Sequence, residues 1–582
     1  MLLNWLDRVG DWNPQFFREL KGRLKARNLA IAAAISVMGQ FLLVLLHLGQ
    51  LPPAISLNVE SFSHQYCKGT QRGYGNEYAC VRDAVGDFII NWQSWWLDLF
   101  VWLSLIGSFT LLVIGTYMLI SDLTKEERRD TLNFVRLSPR STQSILMGKL
   151  LGVPVVLYLA TALAMPLHLY AGLVAQISFG AILSFYGVLI TSCIFFYSAA
   201  LLYSFVSSWL GGFQVWLGSS LVLGFLLLTT SIIDSDIPAN NPVIWLRLLN
   251  PAYTIPGLLN SEFLRSSSFQ ADQWSWFYLP LGAHRVGVVS FTAVNFGLGI
   301  YWIWQSLQRC FRNPNATMLS KRQSYWLTAC FTVLTLGFAH YPGVTDSGFD
   351  YRVTENLVAL FFLDFLLSLY LIAALTPQRQ ALQDWARYRR ESASERKRFW
   401  NRSLIRDLVW GEKSPSWIAI ALNLMIAITP LSAWILLAPI EIDYKINALI
   451  GTTLATSLVL IYAAIVQLIL LIPAQNRVLL AVGAVGAAIF FPPMALSLVG
   501  INPDQTFGFL WLFSAAAPIV PITLGLSQTQ PLTLAFCYGI LAQWVLISGL
   551  NWHLTRQLHR AGESNSKALL SEKRSLPAGS SS

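Results

Sequence analysis

"LAIAAAISVMGQFLLVLLHL", residues 29–48, carries no Asp, Glu, Lys or Arg. At 1.5 Å of rise per residue, a helix of this length spans about 30 Å, the thickness of a bilayer's hydrocarbon core. The run is continuously apolar rather than alternating, which argues for a helix and against a barrel strand. In lipid a helix satisfies its own backbone hydrogen bonds. Similar runs recur along the 582-residue chain, near 97–120, 152–173, 179–205, 213–233, 284–307, 325–341, 353–375, 416–438, 447–472, 478–499 and 532–552. Composition agrees: 54% of residues are hydrophobic and 12% charged, against about 25% charged in a soluble domain. The sequence predicts an all-α polytopic membrane protein with about twelve transmembrane helices. The polar leader, residues 1–28, lacks a short apolar core followed by a small-residue cleavage site, so no cleavable signal peptide is expected.

Charge sets the expected orientation. With the N-terminus inside, 32 of the 40 Lys and Arg residues fall in inside segments, mainly 1–28, 121–150, 376–415 and 553–582. That bias predicts an N-in, C-in arrangement. The net charge of +10 then reflects orientation and anionic headgroups, with no nucleic-acid partner implied. Loop lengths repeat, which suggests two six-helix pseudo-repeats. In each half a long inside loop follows the second span (121–150, then 376–415), and a very short one follows the fourth. The expected domains are an amphipathic interfacial helix in 1–28, six-helix domains at 29–310 and 311–552, and a disordered tail at 553–582. Both outside segments before the last span of each half are apolar and broken by proline: "LLNPAYTIPGLL" at 248–259 and "FLWLFSAAAPIVPITLGL" at 509–526. Such a segment suits a re-entrant hairpin packed against protein.

One segment between apolar runs is dense in charge: "KEERRDTLNFVRLSPRSTQSILMGKLLG", 125–152. Thr124 and Glu127 have capping-box spacing. Leu132, Phe134, Val135 and Leu137 give a partly apolar face, Pro139 ends the helix, and Ser141 is placed to cap the next. The pattern is an exposed helix that a soluble partner would grip. It resembles the signature of the exporter-like type-2 permeases of ATP-binding-cassette (ABC) transporters. The residues that carry the likeness are Glu126, Thr131, Leu132, Leu137, Ser138, Pro139, Ile145, Gly148 and Lys149. The family's Gly before the Thr is here Asp130. "NPQFFRELKGRLKARN" (13–28) is similar to that family's amphipathic helix, with Phe16, Phe17, Leu20 and Leu24 on one side and Arg18, Lys21, Arg23, Lys25 and Arg27 expected to face headgroups. "LNPAYTIPG" resembles its outside loop. The likeness covers about the first 310 residues; beyond that only the layout matches. It implies that Glu126, Thr131, Leu132, Leu137, Ser138, Pro139, Gly148 and Lys149 couple the chain to a separate ATPase, and that the substrate is a lipid, glycan or other amphiphile. It also implies a bacterial plasma membrane.

The chain has no G-x-x-x-x-G-K-[ST] phosphate loop, so it is not expected to be an enzyme. It needs no cofactor of its own; ATP and magnesium belong to the ATPase partner. The partners implied are one or two ATPase subunits, membrane lipid and, if the halves do not form a pseudo-dimer, a second permease chain. The basic loop 376–415 reads either as a second coupling element or as a solvated charge run, with Leu404, Leu408 and Trp410 near one side. Asp364, near the middle of the 353–375 span, supports an alternative, an ion-coupled secondary transporter; a hydrogen-bonded structural carboxyl is the plainer reading. Gln40, His168, Asn295, Asn423 and Gln467 are expected to join helices. Cys67 and Cys80 lie in one outside loop, where an oxidising compartment would permit a disulfide worth about 3 kcal/mol. No catalytic constellation or metal-ligand spacing appears.

Overall fold

The computed structural model describes residues 10–52, 62–70, 77–83, 87–233, 240–255, 274–341, 349–394, 402–503, 507–525 and 532–561. The tail expected to be disordered at 553–582 is corrected over 553–561, which continue the helix Leu532–Ala561; its remainder from 562 on, residues 256–259 of the first Pro-punctuated stretch and residues 395–401 of the second basic loop lie outside the described residues. The chain forms two units, Met1–Arg312 and Asn313–Ser582.

In the first unit, the Asn13 side chain accepts from the Phe16 N–H and Pro14 occupies the first turn, starting α1 (Pro14–Arg23). Helix α2 (Ala26–Gly49) leaves Ile35, Met38, Phe41 and Leu46 exposed, as suits a lipid-facing helix. Two short strands, β1 (Ser63–His64) and β2 (Tyr78–Ala79), pair antiparallel, and Cys67 and Cys80 beside them form a disulfide. Helix α3 (Trp92–Phe109) then continues through a π-turn, Thr110–Ile114, into α4 (Gly115–Arg128). A π-turn perturbs the backbone ladder. Here the Tyr197 hydroxyl donates to the Leu111 carbonyl at 2.7 Å, and Gly115 makes room for it, since a Cβ there would lie 2.2 Å from that hydroxyl.

The unit is completed by α5 (Thr131–Arg136), α6 (Thr142–Gly152), α7 (Val155–Val174), α8 (Phe179–Val206), α9 (Phe213–Ile233), the short α10 (Ile244–Leu248) and α11 (Arg285–Arg312). Phe100, Ala171, Ile182 and Phe185 centre one of its apolar cores.

The second unit opens on α12 (Lys321–Leu336), started by a capping box between Ser320 and Gln323. Then come α13 (Phe349–Leu375), α14 (Arg379–Ser394), α15 (Arg402–Trp410), α16 (Trp417–Leu437), α17 (Ile442–Leu471), α18 (Arg477–Val499), α19 (Val520–Gly525) and α20 (Leu532–Ala561). Leu371, Leu458, Tyr462 and Phe536 belong to its main core. The second Pro-punctuated stretch is broken, into a 3₁₀ turn (Gly508–Phe513) and α19. Leu512, Ala517, Val520 and Ile522 in it are buried. It lies against α17, where a Cβ on Gly451 would come within 2.4 Å of the Pro518 carbonyl.

Among the described residues eleven helices are long and apolar enough to cross a membrane, not twelve. The seventh expected span is α12, 16 residues or about 24 Å, short of the hydrocarbon core. Its inward side is polar: Ser324, Thr328, Thr332 and Thr335 are all buried. The chain is a multi-pass helical membrane protein, with the β1–β2 pair its one sheet among the described residues.

Most of the intramembrane polar residues do join helices. Asn423 of α16 bonds Ser324 and Thr328 of α12 at 3.0 and 2.7 Å. His168 of α7 bonds Ser104 of α3 and Tyr186 of α8. Trp245 of α10 donates to Asn295 of α11, and Gln40 of α2 reaches the Leu163 carbonyl at 3.5 Å. Gln467 does not: it is fully buried, and among the described residues neither end of its amide has a hydrogen-bond partner.

Candidate functional site

The charged segment is organised around Lys149. Helix α6 begins at Ser141, whose hydroxyl accepts from the Ser144 N–H, and it buries Ile145, Leu146 and Leu150. That places Lys149, 1% exposed, against the end of α4. Its ammonium lies 2.8 Å from a carboxylate oxygen of Asp122, 2.8 Å from Glu126 and 3.8 Å from Glu19 of α1. Arg18 pairs with Glu126 at 2.7 Å, and Arg23 with Asp122 and with Glu19. Three cations thus meet three carboxylates. Burial alone would push the Lys149 pKa down, but Asp122, Glu126 and Glu19 outweigh it and the net direction is up.

Glycines make this clasp possible. Helix α1 lies on α6 so closely that a Cβ on Gly148 would sit 2.8 Å from Phe16 N, and one on Gly152 would sit 2.5 Å from Glu19 Cβ. The Asn13 amide closes the other end, donating to the Ser144 carbonyl at 2.7 Å. Arg18 and Arg23, expected to face headgroups, both pair with carboxylates of the clasp, Arg18 with its side chain still 54% exposed. Their partners Glu19 and Asp122 were not singled out in the sequence. The spacings Glu19–Arg23 and Gly148–Gly152, four residues each, were the available signals.

The capping box expected at Thr124 does not form. Leu119, Ile120 and Leu123 are buried, so α4 runs on past Thr124. The Thr124 hydroxyl donates to the Ile120 carbonyl and accepts from the Gln214 amide. The chain breaks later, at Asp130, which takes a left-handed conformation with φ 55°. This is the position where the resembling family has glycine, and aspartate is among the few other residues that tolerate it.

Helix α5 follows as a short knob. Leu132 and Val135 are buried, while Phe134 and Leu137 are 80% and 85% exposed. The apolar residues that read as one face thus split between an anchor and an outward tip. Arg136 holds the knob from its other side, with its guanidinium 5.8 Å from the ring centres of both Phe205 and Phe311. Thr131 donates to the Glu126 carbonyl and Ser138 to that of Val135; Pro139 is exposed. The eight residues assigned to coupling therefore occupy distinct places. Leu137 and Pro139 face outward, Leu132 anchors the knob, Thr131 and Ser138 close its turns, and Glu126, Gly148 and Lys149 build the clasp.

The second unit's basic loop has another construction. Lys321, at the first turn of α12 and 2% exposed, donates to the Leu408 carbonyl, the Ser414 hydroxyl and the Pro415 carbonyl. It ties down the end of α15, which Tyr325 also holds by donating to the Val409 carbonyl. Burial pushes the Lys321 pKa down to about 8, against the pull of Asp407. Asp364, in α13, is half-buried, and its carboxylate has no hydrogen-bond or ion-pair partner among the described residues. The carboxylates of Glu19, Asp122 and Glu126 converge as a metal site would, but the Lys149 ammonium is already among them.

No protein-family model, curated protein or solved structure matches this chain. The class the geometry defines is a multi-pass helical membrane protein with a braced, outward-pointing apolar knob beside its longest helical path.

Proposed function

We propose that this chain is the membrane permease subunit of an ABC transporter of the exporter-like type-2 kind, in a bacterial plasma membrane with N-in, C-in topology. It moves a lipid, glycan or other amphiphile, and a separate ATPase that binds ATP and magnesium drives it. The observation that carries this reading is the knob itself. Phe134 and Leu137 project into solvent from a short helix whose other side is anchored by Leu132, Val135 and Arg136. A large apolar pair exposed on a rigid base suits insertion into a partner's groove. The clasp gives the base its stiffness. Force on the knob passes through Asp122 and Glu126 into α4 and the continuous path back to Trp92, and through Lys149 into α6 and α1. Helices α14 and α15 are the counterpart for a second ATPase, which makes the two halves a pseudo-dimer.

The test is co-purification of the intact protein from its native membranes, with ATP hydrolysis assayed on the product. Phe134→Asp combined with Leu137→Asp should lower the bound ATPase at least tenfold while leaving membrane insertion and thermal stability unchanged. A well-folded wild-type protein with no ATPase, or a variant that retains it, overturns the reading. The Asp364 carboxylate, without a partner among the described residues, supports the second reading, an ion-coupled transporter. Transport that needs no ATPase and is lost in Asp364→Asn would favour it.

A further inference from the structure

The helical path that carries the knob is longer than a bilayer is thick. Trp92–Arg128 runs for 37 residues, about 55 Å at 1.5 Å per residue. Hydrocarbon and headgroups together measure about 40–45 Å, so even at a common tilt of about 20° the path outruns them. The surplus lies at the α4 end. Trp92, Trp95 and Trp96 open the path at its other end, as an aromatic belt would. No charged residue falls between Asp98 and Asp122, a stretch long enough for the hydrocarbon core. The charged end of α4, from Asp122 to Arg128, then carries α5 past that core.

What flanks Phe134 and Leu137 there is mainly cationic. Lys125 and Arg128 on the last turn of α4, Arg129 just before α5 and Arg140 just after it are exposed. Among the described residues their charged groups have no ion-pair or hydrogen-bond partner, unlike Arg18, Arg23 and Lys149 of the clasp. Two acids lie in the same run and are also exposed. Glu127 is engaged by Arg136 and Ser208 of its own chain, which leaves Asp130.

We propose that the groove receiving the knob is rimmed by carboxylates, and that Arg129 and Arg140, with Lys125 and Arg128, steer that partner onto Phe134 and Leu137. This rests on the ATPase reading above and names the chemistry of the docking surface. Exposed charges at the rim of an interface act mainly on the rate of association, whereas well-packed apolar anchors hold the complex together. The collar therefore sets how fast the ATPase docks, and the apolar pair how long it stays. A lipid surface would also attract these cations, but the length of the α3–α4 path holds the knob beyond it.

The test uses the full-length protein in nanodiscs, with the ATPase that co-purifies with the wild type as the probe. Association and dissociation are timed separately. Arg129→Glu combined with Arg140→Glu alters exposed side chains with no partner, so the fold should hold, as thermal unfolding will show. It should slow association about tenfold and leave dissociation within about twofold. Raising salt from about 0.05 to about 0.5 M should slow the wild type more than the variant. Arg140→Lys, treated with a carbodiimide that joins an amine to a carboxylate in contact, should cross-link to an Asp or Glu of the ATPase. Leu137→Cys carrying a polarity-sensitive dye, with the unsubstituted protein as blank, should report water in discs of phosphatidylglycerol and of phosphatidylcholine alike. A wild-type protein that retains no ATPase defeats the reading above and this inference with it. An ATPase that docks on both proteins at one rate, or gives no cross-link, overturns this inference and leaves that reading standing. So does a dye that moves to apolar emission in phosphatidylglycerol, which would make the membrane the occupant.

Discussion

Two buried lysines, one in each unit, solve the same problem differently. Lys149 sits among carboxylates, and Lys321 donates to two carbonyls and a hydroxyl. A buried charge needs either an opposite charge or full hydrogen bonding. The first solution raises the lysine's pKa and the second lowers it. It also joins three helices of the first unit, α1, α4 and α6, into one body. The second pins the end of one helix, α15, to the start of α12. The charged segment of the first unit is therefore built as a stiff mount for a knob, and the lysine of the second as a latch on a helix end.

The largest effect expected from this contrast is in Lys149→Met. Removing one partner of a buried cluster leaves uncompensated charge and costs about 3–5 kcal/mol. Thermal unfolding should show it, and protease should then cut within α1. Lys321→Met leaves no buried carboxylate behind and should cost less, about 1–2 kcal/mol. Equal losses would erase the distinction.

The pH dependence should differ in sign. Lys321 has a folded-state pKa near 8, below its unfolded value of about 10.4. Below pH 8 it is charged in both states and its burial penalty is fully present. Between pH 8 and 10.4 the unfolded chain holds the proton and the folded one does not, so stability rises, by up to about 3 kcal/mol. Lys149, with a raised pKa, contributes stability that is fully present below about pH 10.4 and is lost as pH climbs through its folded value. Unfolding followed from pH 7 to 10 should lose its alkaline rise in Lys321→Met and keep it in Lys149→Met.

A smaller effect is expected from Gly152→Leu, which drives a side chain into Glu19 and should cost about 1–3 kcal/mol. It should loosen α1 as Lys149→Met does, but without changing the charge balance. The smallest belongs to Asp130→Gly. Glycine accepts the left-handed backbone without a steric penalty but loses more chain entropy on folding, so stability should stay within about 1 kcal/mol, while Asp130→Val should be clearly destabilised.

Hydrophobic length and continuity determined the membrane class from the sequence alone, because a bilayer imposes one strict requirement on any run of about twenty residues. The Ser141 cap was legible too, being local chemistry. Where α4 stops was not. Thr124 and Glu127 have the spacing of a cap, yet Leu119, Ile120 and Leu123 find a buried surface that carries the helix onward. The same limit governs the clasp. Arg18 and Glu126 are 108 residues apart, and nothing in either neighbourhood announces the other. Only packing decided that Leu132 and Val135 turn inward while Phe134 and Leu137 turn out, and that Lys149 belongs to the interior. Helix formation and membrane insertion respond to a residue's near neighbours in the chain, and those are written in order along it. The fate of a charge or an exposed ring depends on which distant surfaces meet, and that is settled when the helices pack.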